Sequence, residues 1–561
     1  MRTLLDALRD NARHSDKGIT FVRSDGREQT LCYRDVWIET QRRAAWLRRH
    51  RIGKGDRVVL TLPEAEDFVL NFFGVIAAGA VPVPLYPPAT LARLDAYYAN
   101  LARVIAASEA KLLITSHRRA AQDGVPAPLA EVPTMRPEEL AAAPAEEVTT
   151  EIRPDDLAFL QFTSGSTSLP KGVMVSHKNL AANAQAIMFD GLAADPERDK
   201  GVSWLPLYHD MGLIGFVIAP IFAQVPVVLM PTSSFVRRPS SWLDAIHRHR
   251  GTITFAPNFA FALSVQGISE KQMAGWDLSS LRALGCGAEP IDAPTVRAFL
   301  DKFEPVGLKK TAILPAYGLA EATLAVSFAD LAEPLTTDIA DPLELVRGRA
   351  VPAQNGHSME IVSCGRPFPQ HHVEIVDDDG HGLPERNVGE IVVEGPSLAT
   401  GYFGDESATR AAFRQGRLFT GDLGYLADGR LFVCGRKKDV IILRGRNYFP
   451  QDFERIISGL DGVRHAQVAV FTRPRAANGE RLSTEELLVA VAEVQNSQVE
   501  HGPLRKAVVS AVLEQTGLKV DEVHFLRRGA LPKTSSGKVR RRETRAQLEA
   551  GTLATAMGNE E

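Results

Sequence analysis

LQFTSGSTSLPKGVMVSH, residues 160–177, is the stretch whose reading decides the fold. It begins as an apolar strand, passes into a run of small hydroxylated residues and glycines, and closes on Pro170, Lys171 and Gly172. Glycines let a backbone approach an anion, and hydroxyls with backbone N–H groups supply donors around phosphate oxygens. Lys171 adds a point charge. The G-x-x-x-x-G-K-[ST] spacing of a Walker loop is missing. A Ser/Gly-rich run alone also suits a flexible linker, but linkers do not normally follow a buried strand.

Outward from this loop the sequence alternates helical and strand patterns. Residues 34–50 and 67–80 read as helices, and DRVVLTLP (56–63) and VPVPLYPP (81–88) as strands. The rhythm resumes at LAFLQFTS (157–164), PVVLMP (226–231), TITFAPN (252–258) and LRALGCG (281–287). Such alternation predicts an α/β protein with helices packed on mostly parallel sheets. From about residue 361 short strands with Gly and Asp turns predict a small β-barrel-like subdomain over 361–435. After Arg436 come a helix (FERIISGL), two strands (AQVAVFT and LLVAVAEV) and a basic helix, a small α+β unit. Residues 118–152 are rich in Ala and Glu and are expected on the surface.

The bulk numbers exclude several classes. At 561 residues the chain is too long for one core, so more than one domain is expected. A net charge of -4 gives no reason to expect nucleic acid as a partner. Cys32, Cys286, Cys364 and Cys434 form no C-x-x-C pair and predict reduced thiols rather than a zinc site or disulfides. Leu4, Leu5 and Leu8 at helical spacing favour a first amphipathic helix over a signal peptide. No run reaches the roughly 18 apolar residues of a membrane span, so no stable membrane anchor is expected.

The loop resembles the phosphate-binding signature of the adenylate-forming superfamily: acyl- and aryl-CoA synthetases, luciferases, nonribosomal adenylation domains and fatty-acyl-AMP ligases. LPLYHDMGL (205–213), GAEP (287–290), AYGLAEAT (316–323), FTGDLGY (419–425), GRKKDVIILRG (435–445) and LPKTSSGK (531–538) continue the resemblance in the expected order. It implies an N-terminal domain over 1–437 and a mobile C-terminal domain over 438–561 that pivots at Lys438. It implies ATP and Mg²⁺ as cofactors. Thr163, Ser164, Gly165, Ser166, Thr167 and Lys171 would cradle phosphates, and Glu321 with Thr167 would hold the metal. Gly287, Ala288, Glu289, Tyr317 and Gly318 would line the nucleotide, with Tyr317 flat against adenine. Asp422 and Arg436 would bind the ribose, while Lys538 would reach between the substrate carboxylate and the α-phosphate, with His209 also in the catalytic set. Each residue taken singly has a duller reading, such as a turn cap or a solvated basic face. Only the shared order lifts them above it.

Within the superfamily, several features are similar to fatty-acyl-AMP ligases. LPLYHDMGLIG is one, Ala320 before the metal-binding Glu is another, and Ser168 stands where Gly is commoner. A long segment, FADLAEPLTTDIADPLELVRGRAVPAQNGHSMEI, resembles the insertion thought to restrain the C-terminal domain and hinder free CoA. The resemblance implies a cytoplasmic enzyme that activates a fatty acid and hands the acyl group to an acyl carrier protein, often in polyketide or peptide synthesis. Fatty acyl-CoA synthetase is the alternative, and a non-catalytic acyl-nucleotide binder a further one. Trp204, Phe216, Phe255 and Phe259 are candidates for an apolar acyl pocket, although such residues also make ordinary core. The basic run Lys538–Arg545 could face an acidic carrier helix.

Overall fold

The computed structural model describes residues 2–88, 94–117, 127–163, 170–354, 358–443, 446–474, 486–496, 498–534 and 537–554. The chain divides into two units: Met1–Thr336 with Cys364–Val373 and Val392–Phe419, and Thr337–Ser363 with Glu374–Ile391 and Thr420–Glu561.

In the first unit, six strands form a parallel block: Gly18–Val22, Val227–Leu229, Gly201–Ser203, Ile253–Ala256, Ala283–Cys286 and Ile313–Gly318. Antiparallel strands flank it, Glu28–Cys32 at one side and Ala325–Phe328 with Arg366–Pro367 at the other. A second, all-parallel sheet runs in the order Val81–Pro84, Arg57–Thr61, Leu112–Thr115, Thr134–Met135. The apolar helix Ala65–Ala77 is buried nearly all round, as its sequence demands. The expected α/β fold with mostly parallel sheets is what forms.

Two expectations are corrected. The strand Leu157–Thr163 does not continue the parallel rhythm: it pairs antiparallel with Lys171–Ser176. The few residues between them leave no length for a crossover helix, so only a hairpin can close. Nor is 127–152 mere surface. Thr134–Met135 completes the second sheet, and Leu140 is fully buried. Residues 118–126 lie outside the described set.

The second unit contains the antiparallel hairpin Thr337–Ala340 and Met359–Val362, which lies within the long segment after Phe328. Its Asp338 accepts hydrogen bonds from Arg386 (3.0 Å) and from the Tyr425 hydroxyl (2.8 Å). Ala340, Leu345 and Ile361 share one apolar cluster with Tyr425, Phe432 and Phe449. Nearer the C-terminus, Val463–Pro474 pairs antiparallel with Glu486–Val494, which runs parallel to Glu522–Leu526. The helix His501–Thr516 makes that last crossover. The helix Pro450–Ser458 starts with Pro at its first position and buries Phe453 and Ile457, one turn apart.

Candidate active site

Parallel topology gathers the motifs. Four neighbouring strands, Gly201–Ser203, Ile253–Ala256, Ala283–Cys286 and Ile313–Gly318, end at the same edge of the sheet. They are followed by Trp204 to His209, by the helix Asn258–Gly267, by Gly287–Glu289 and by Leu319–Glu321. Ligands of open α/β sheets bind outside such carboxyl ends. The backbone is tight there. A Cβ on Gly287 would lie 2.7 Å from the Ala316 carbonyl oxygen, and one on Gly318 only 1.9 Å from that of Leu324, so neither tolerates a side chain. Ala288 sits at φ 72°, where a Cβ is disfavoured.

Glu321 lies in a short 3-10 turn, Ala320–Ala322, right after Tyr317 and Gly318. The next residue, Thr323, has φ 70° and ψ -64°, and Leu324 N–H donates to Ala322 O at 2.9 Å. This is the rare, strained form of γ-turn, costly for a β-branched residue. A buried polar network holds it. The Thr323 hydroxyl donates to Ser397 O (2.6 Å), and Asn183 donates to Ala325 O (2.8 Å) and to the Ser397 hydroxyl (3.1 Å). His371 Nε2 also meets the Ser397 hydroxyl, at 2.7 Å. Burial moves His371 below its usual pKa, which favours a neutral ring.

The paired strands on either side of the Ser/Gly-rich run come next to Glu321 through a strap at Gly401–Phe403. Met174 N–H donates to Gly401 O (3.0 Å) and Phe403 N–H to Gly172 O (2.8 Å). Between these bonds, Tyr402 turns its hydroxyl to Glu321 Oε1, 2.7 Å away, while the Lys171 ammonium lies 4.8 Å from the Tyr402 ring centroid. Thr163 stands opposite Lys171 in the hairpin register. Ser164, Gly165, Ser166 and Thr167 lie outside the described residues. Gln161, from the same hairpin, donates to Tyr208 O at 3.0 Å and ties it to the segment bearing His209. His209 stands at the N-terminal boundary of the helix Asp210–Leu213, and its Nδ1 is 3.8 Å from Asp210 Oδ1.

The apolar candidates are packed. Trp204 stacks on Phe235 at 4.0 Å and meets Phe259 edge-on at 5.9 Å. Phe216 and Phe255 meet at 6.2 Å. All belong to the main core cluster or pack against it.

In the second unit, Asp422 and Arg436 are direct cross-strand partners, with Arg436 Nε 3.1 Å from Asp422 Oδ1. Lys438 lies in an exposed turn, Lys437–Asp439, and its carbonyl accepts from Arg542 at 3.3 Å. Lys538 is half-buried, and its N–H donates to the Thr534 hydroxyl at 3.0 Å. Arg541 is not part of a free basic face, which corrects the expectation for the 538–545 run. Its guanidinium forks onto Glu454, from the helix Pro450–Ser458, with two bonds of 2.6 Å. Reading motif by motif missed Tyr402, Gln161, Asn183 and Ser397. ATGYFGD (399–405) carries a glycine-aromatic signal for the first of these; the others leave none.

Residues 8–403 match the AMP-binding enzyme family, and residues 438–556 match the AMP domain of the Disco-interacting protein 2-like family. The chain belongs to the AMP-binding enzyme family. A protein of Caulobacter vibrioides called "Putative acyl-CoA synthetase" is 37% identical over 89% of this chain and 86% of its own length. The medium-chain-fatty-acid–[acyl-carrier-protein] ligase JamA of Moorena producens is 33% identical over 98% of this chain and 96% of its own. A structure from work on fatty acyl-adenylate ligases of E. coli and L. pneumophila superposes with a TM-score of 0.90, at 35% identity, covering 98% of each chain. Among the described residues no helix is long and apolar enough to cross a membrane.

Proposed function

We propose that this protein joins a fatty acid to AMP, releasing pyrophosphate, and passes the acyl group to the phosphopantetheine thiol of an acyl carrier protein. The observation that carries this reading is the assembly of Lys171, Tyr402 and Glu321 at the base of the Ser/Gly-rich loop. Joining two anions requires a cation for the phosphates and an acid for the metal within one site. The likeness to a carrier-protein ligase and to fatty acyl-adenylate ligases supports the acyl substrate and acceptor.

Glu321 fits Mg²⁺ by its donor chemistry. It is a half-buried carboxylate whose hydrogen bond among the described residues comes from a neutral hydroxyl, leaving its charge for a hard, oxygen-seeking cation. Bound there with Thr167, Mg²⁺ would neutralise phosphate charge. Lys171 and the 163–167 loop bind phosphate oxygens. Gly287 to Glu289 with Tyr317 and Gly318 hold the base, and Asp422 accepts from the ribose hydroxyls while Arg436 keeps its carboxylate oriented. A carboxylate oxygen of the fatty acid attacks the α-phosphorus, the bond to pyrophosphate breaks, and Lys538 stabilises the charge that develops between them. The carrier thiol, losing its proton, then attacks the acyl carbonyl and AMP leaves. His209 borders the acyl site, whose apolar wall we assign to Trp204, Phe216, Phe255 and Phe259.

Domain organisation follows the same reading: an N-terminal domain over 1–437, with its β-rich part over 361–435, and a mobile domain over 438–561 pivoting at Lys438. The second family match beginning at 438 supports that boundary. The test is ATP–pyrophosphate exchange with a series of medium- and long-chain fatty acids, followed by addition of either CoA or a phosphopantetheinylated carrier. Exchange with transfer to the carrier but not to CoA is the expected result. Rapid acyl-CoA formation would instead make the protein an acyl-CoA synthetase, and no exchange with any acid would reduce it to a binder.

A further inference from the structure

We propose that Tyr402 is a positioning residue for the metal-binding carboxylate, and that its ring holds Lys171 at the same time. The proposal rests on the reading of Glu321 and Lys171 given above. Tyr402 is 7% exposed, so its hydroxyl has little access to water. Its short bond to Glu321 Oε1, at 2.7 Å, fixes which carboxylate oxygen is engaged and leaves Oε2 for another partner.

The backbone is built to hold it there. Val173 and Tyr402 form an isolated antiparallel bridge, flanked by the Met174-to-Gly401 and Phe403-to-Gly172 bonds. Tyr402 N–H donates to the Thr409 hydroxyl at 2.9 Å, and Ala399 N–H donates to Glu321 O, also at 2.9 Å. The strap therefore grips both the loop-bearing hairpin and the Glu321 turn, and Tyr402 is the one side chain of the strap that touches both functional groups. A ligating carboxylate usually owes its orientation to such an outer partner. The ring face meanwhile offers the Lys171 ammonium a cation–π seat next to the loop, from which it can move onto a phosphate oxygen.

Tyr402→Phe separates these roles, since it keeps the ring and deletes only the hydroxyl. Two measurements apply to the full-length protein. The first is calorimetric binding of a non-cleavable ATP analogue with and without Mg²⁺. The second is the Mg²⁺ dependence of pyrophosphate exchange at saturating ATP. For Tyr402→Phe, metal-dependent affinity is expected to fall by between about 10- and 100-fold, while affinity for the metal-free analogue stays at the wild-type value. Tyr402→Leu, which also removes the ring, is expected to weaken the metal-free analogue too. Wild-type Mg²⁺ dependence in Tyr402→Phe would overturn the proposal. So would equal losses with and without metal, the mark of a merely structural tyrosine. If the wild type binds the Mg²⁺–nucleotide yet activates no acid, the functional reading fails while this one remains testable by binding alone.

Discussion

Replacing Arg541 by Met tests how the last helix is held, and the structure sets the magnitude. Arg541 donates Nε and Nη2 to the two oxygens of Glu454, both at 2.6 Å, and its Nη1 faces Asp439 at 3.3 Å. The side chains are 17%, 13% and 16% exposed, so the pairs are largely out of water. Burial opposes the guanidinium charge, but Glu454 and Asp439 outweigh it and hold its pKa above the ordinary value. Removing one partner of such a pair costs about 3–5 kcal/mol, mainly through the charge left behind. Glu454 retains a bond from Val470 N–H at 3.0 Å, so the low end, ~3 kcal/mol, is expected. All five tryptophans lie in the first unit, so tryptophan fluorescence does not report on this helix. Hydrogen exchange of peptides spanning 450–474 and 541–549 does. A loss of ~3 kcal/mol corresponds to roughly 100-fold faster exchange there. Arg541→Lys, which keeps the charge and loses the fork, should fall between. Protection reduced less than about threefold would refute the reasoning, since a buried pair of this geometry cannot be lost so cheaply.

His177 is 2% exposed, and burial pulls its imidazole from 6.5 to about 4 against the opposing charges of Asp156 and Asp6. The unfolded chain therefore binds the proton first as pH falls, so stability is whole above about 6.5 and drains away between there and about 4. His177→Gln should flatten that dependence, by ~2 kcal/mol at about pH 5; urea melts at both ends of the window check it, and an unchanged slope excludes the residue. Arg386→Ala removes the cation from Asp338, whose side chain is 13% exposed. Faster proteolysis within 337–363 is expected, together with acyl-CoA formation above the wild-type level if this segment governs the acceptor. Loosening without CoA use would separate the two. Lys538→Ala should lower the rate of adenylate formation at least ~100-fold with ATP binding nearly unchanged, read from single-turnover kinetics beside calorimetry.

Much of this was legible beforehand because it depends on local pattern. The strand at 157–163 is mostly apolar, broken by Gln161, the helix at 450–458 repeats its apolar residues at one turn, and Gly318 is needed wherever a strand must pass another backbone at contact distance. Pairing direction was harder. The apolar pattern of Leu157–Thr163 is the same for a parallel or an antiparallel neighbour, and only the short connection to Lys171 excluded a crossover. Arg541 likewise looked like part of a solvated basic run, since nothing within Lys538–Arg545 announces that Glu454, some ninety positions away, will lie beneath it.

By itself the sequence determined the alternation of strands and helices, the run of hydroxyl, glycine and lysine residues at 163–171, and the order of Glu321, Asp422, Arg436 and Lys538 along the chain. These are properties of spacing and residue type, which act over a few positions. Tertiary structure alone decided that four strand ends share one edge, that Asn183 and Ser397 support the strained turn at Thr323, and that Tyr402 stands between Lys171 and Glu321. The reason is that a hydrogen bond at 2.7 Å between residues 81 positions apart depends on how the sheet and strap pack, and no local pattern encodes that distance.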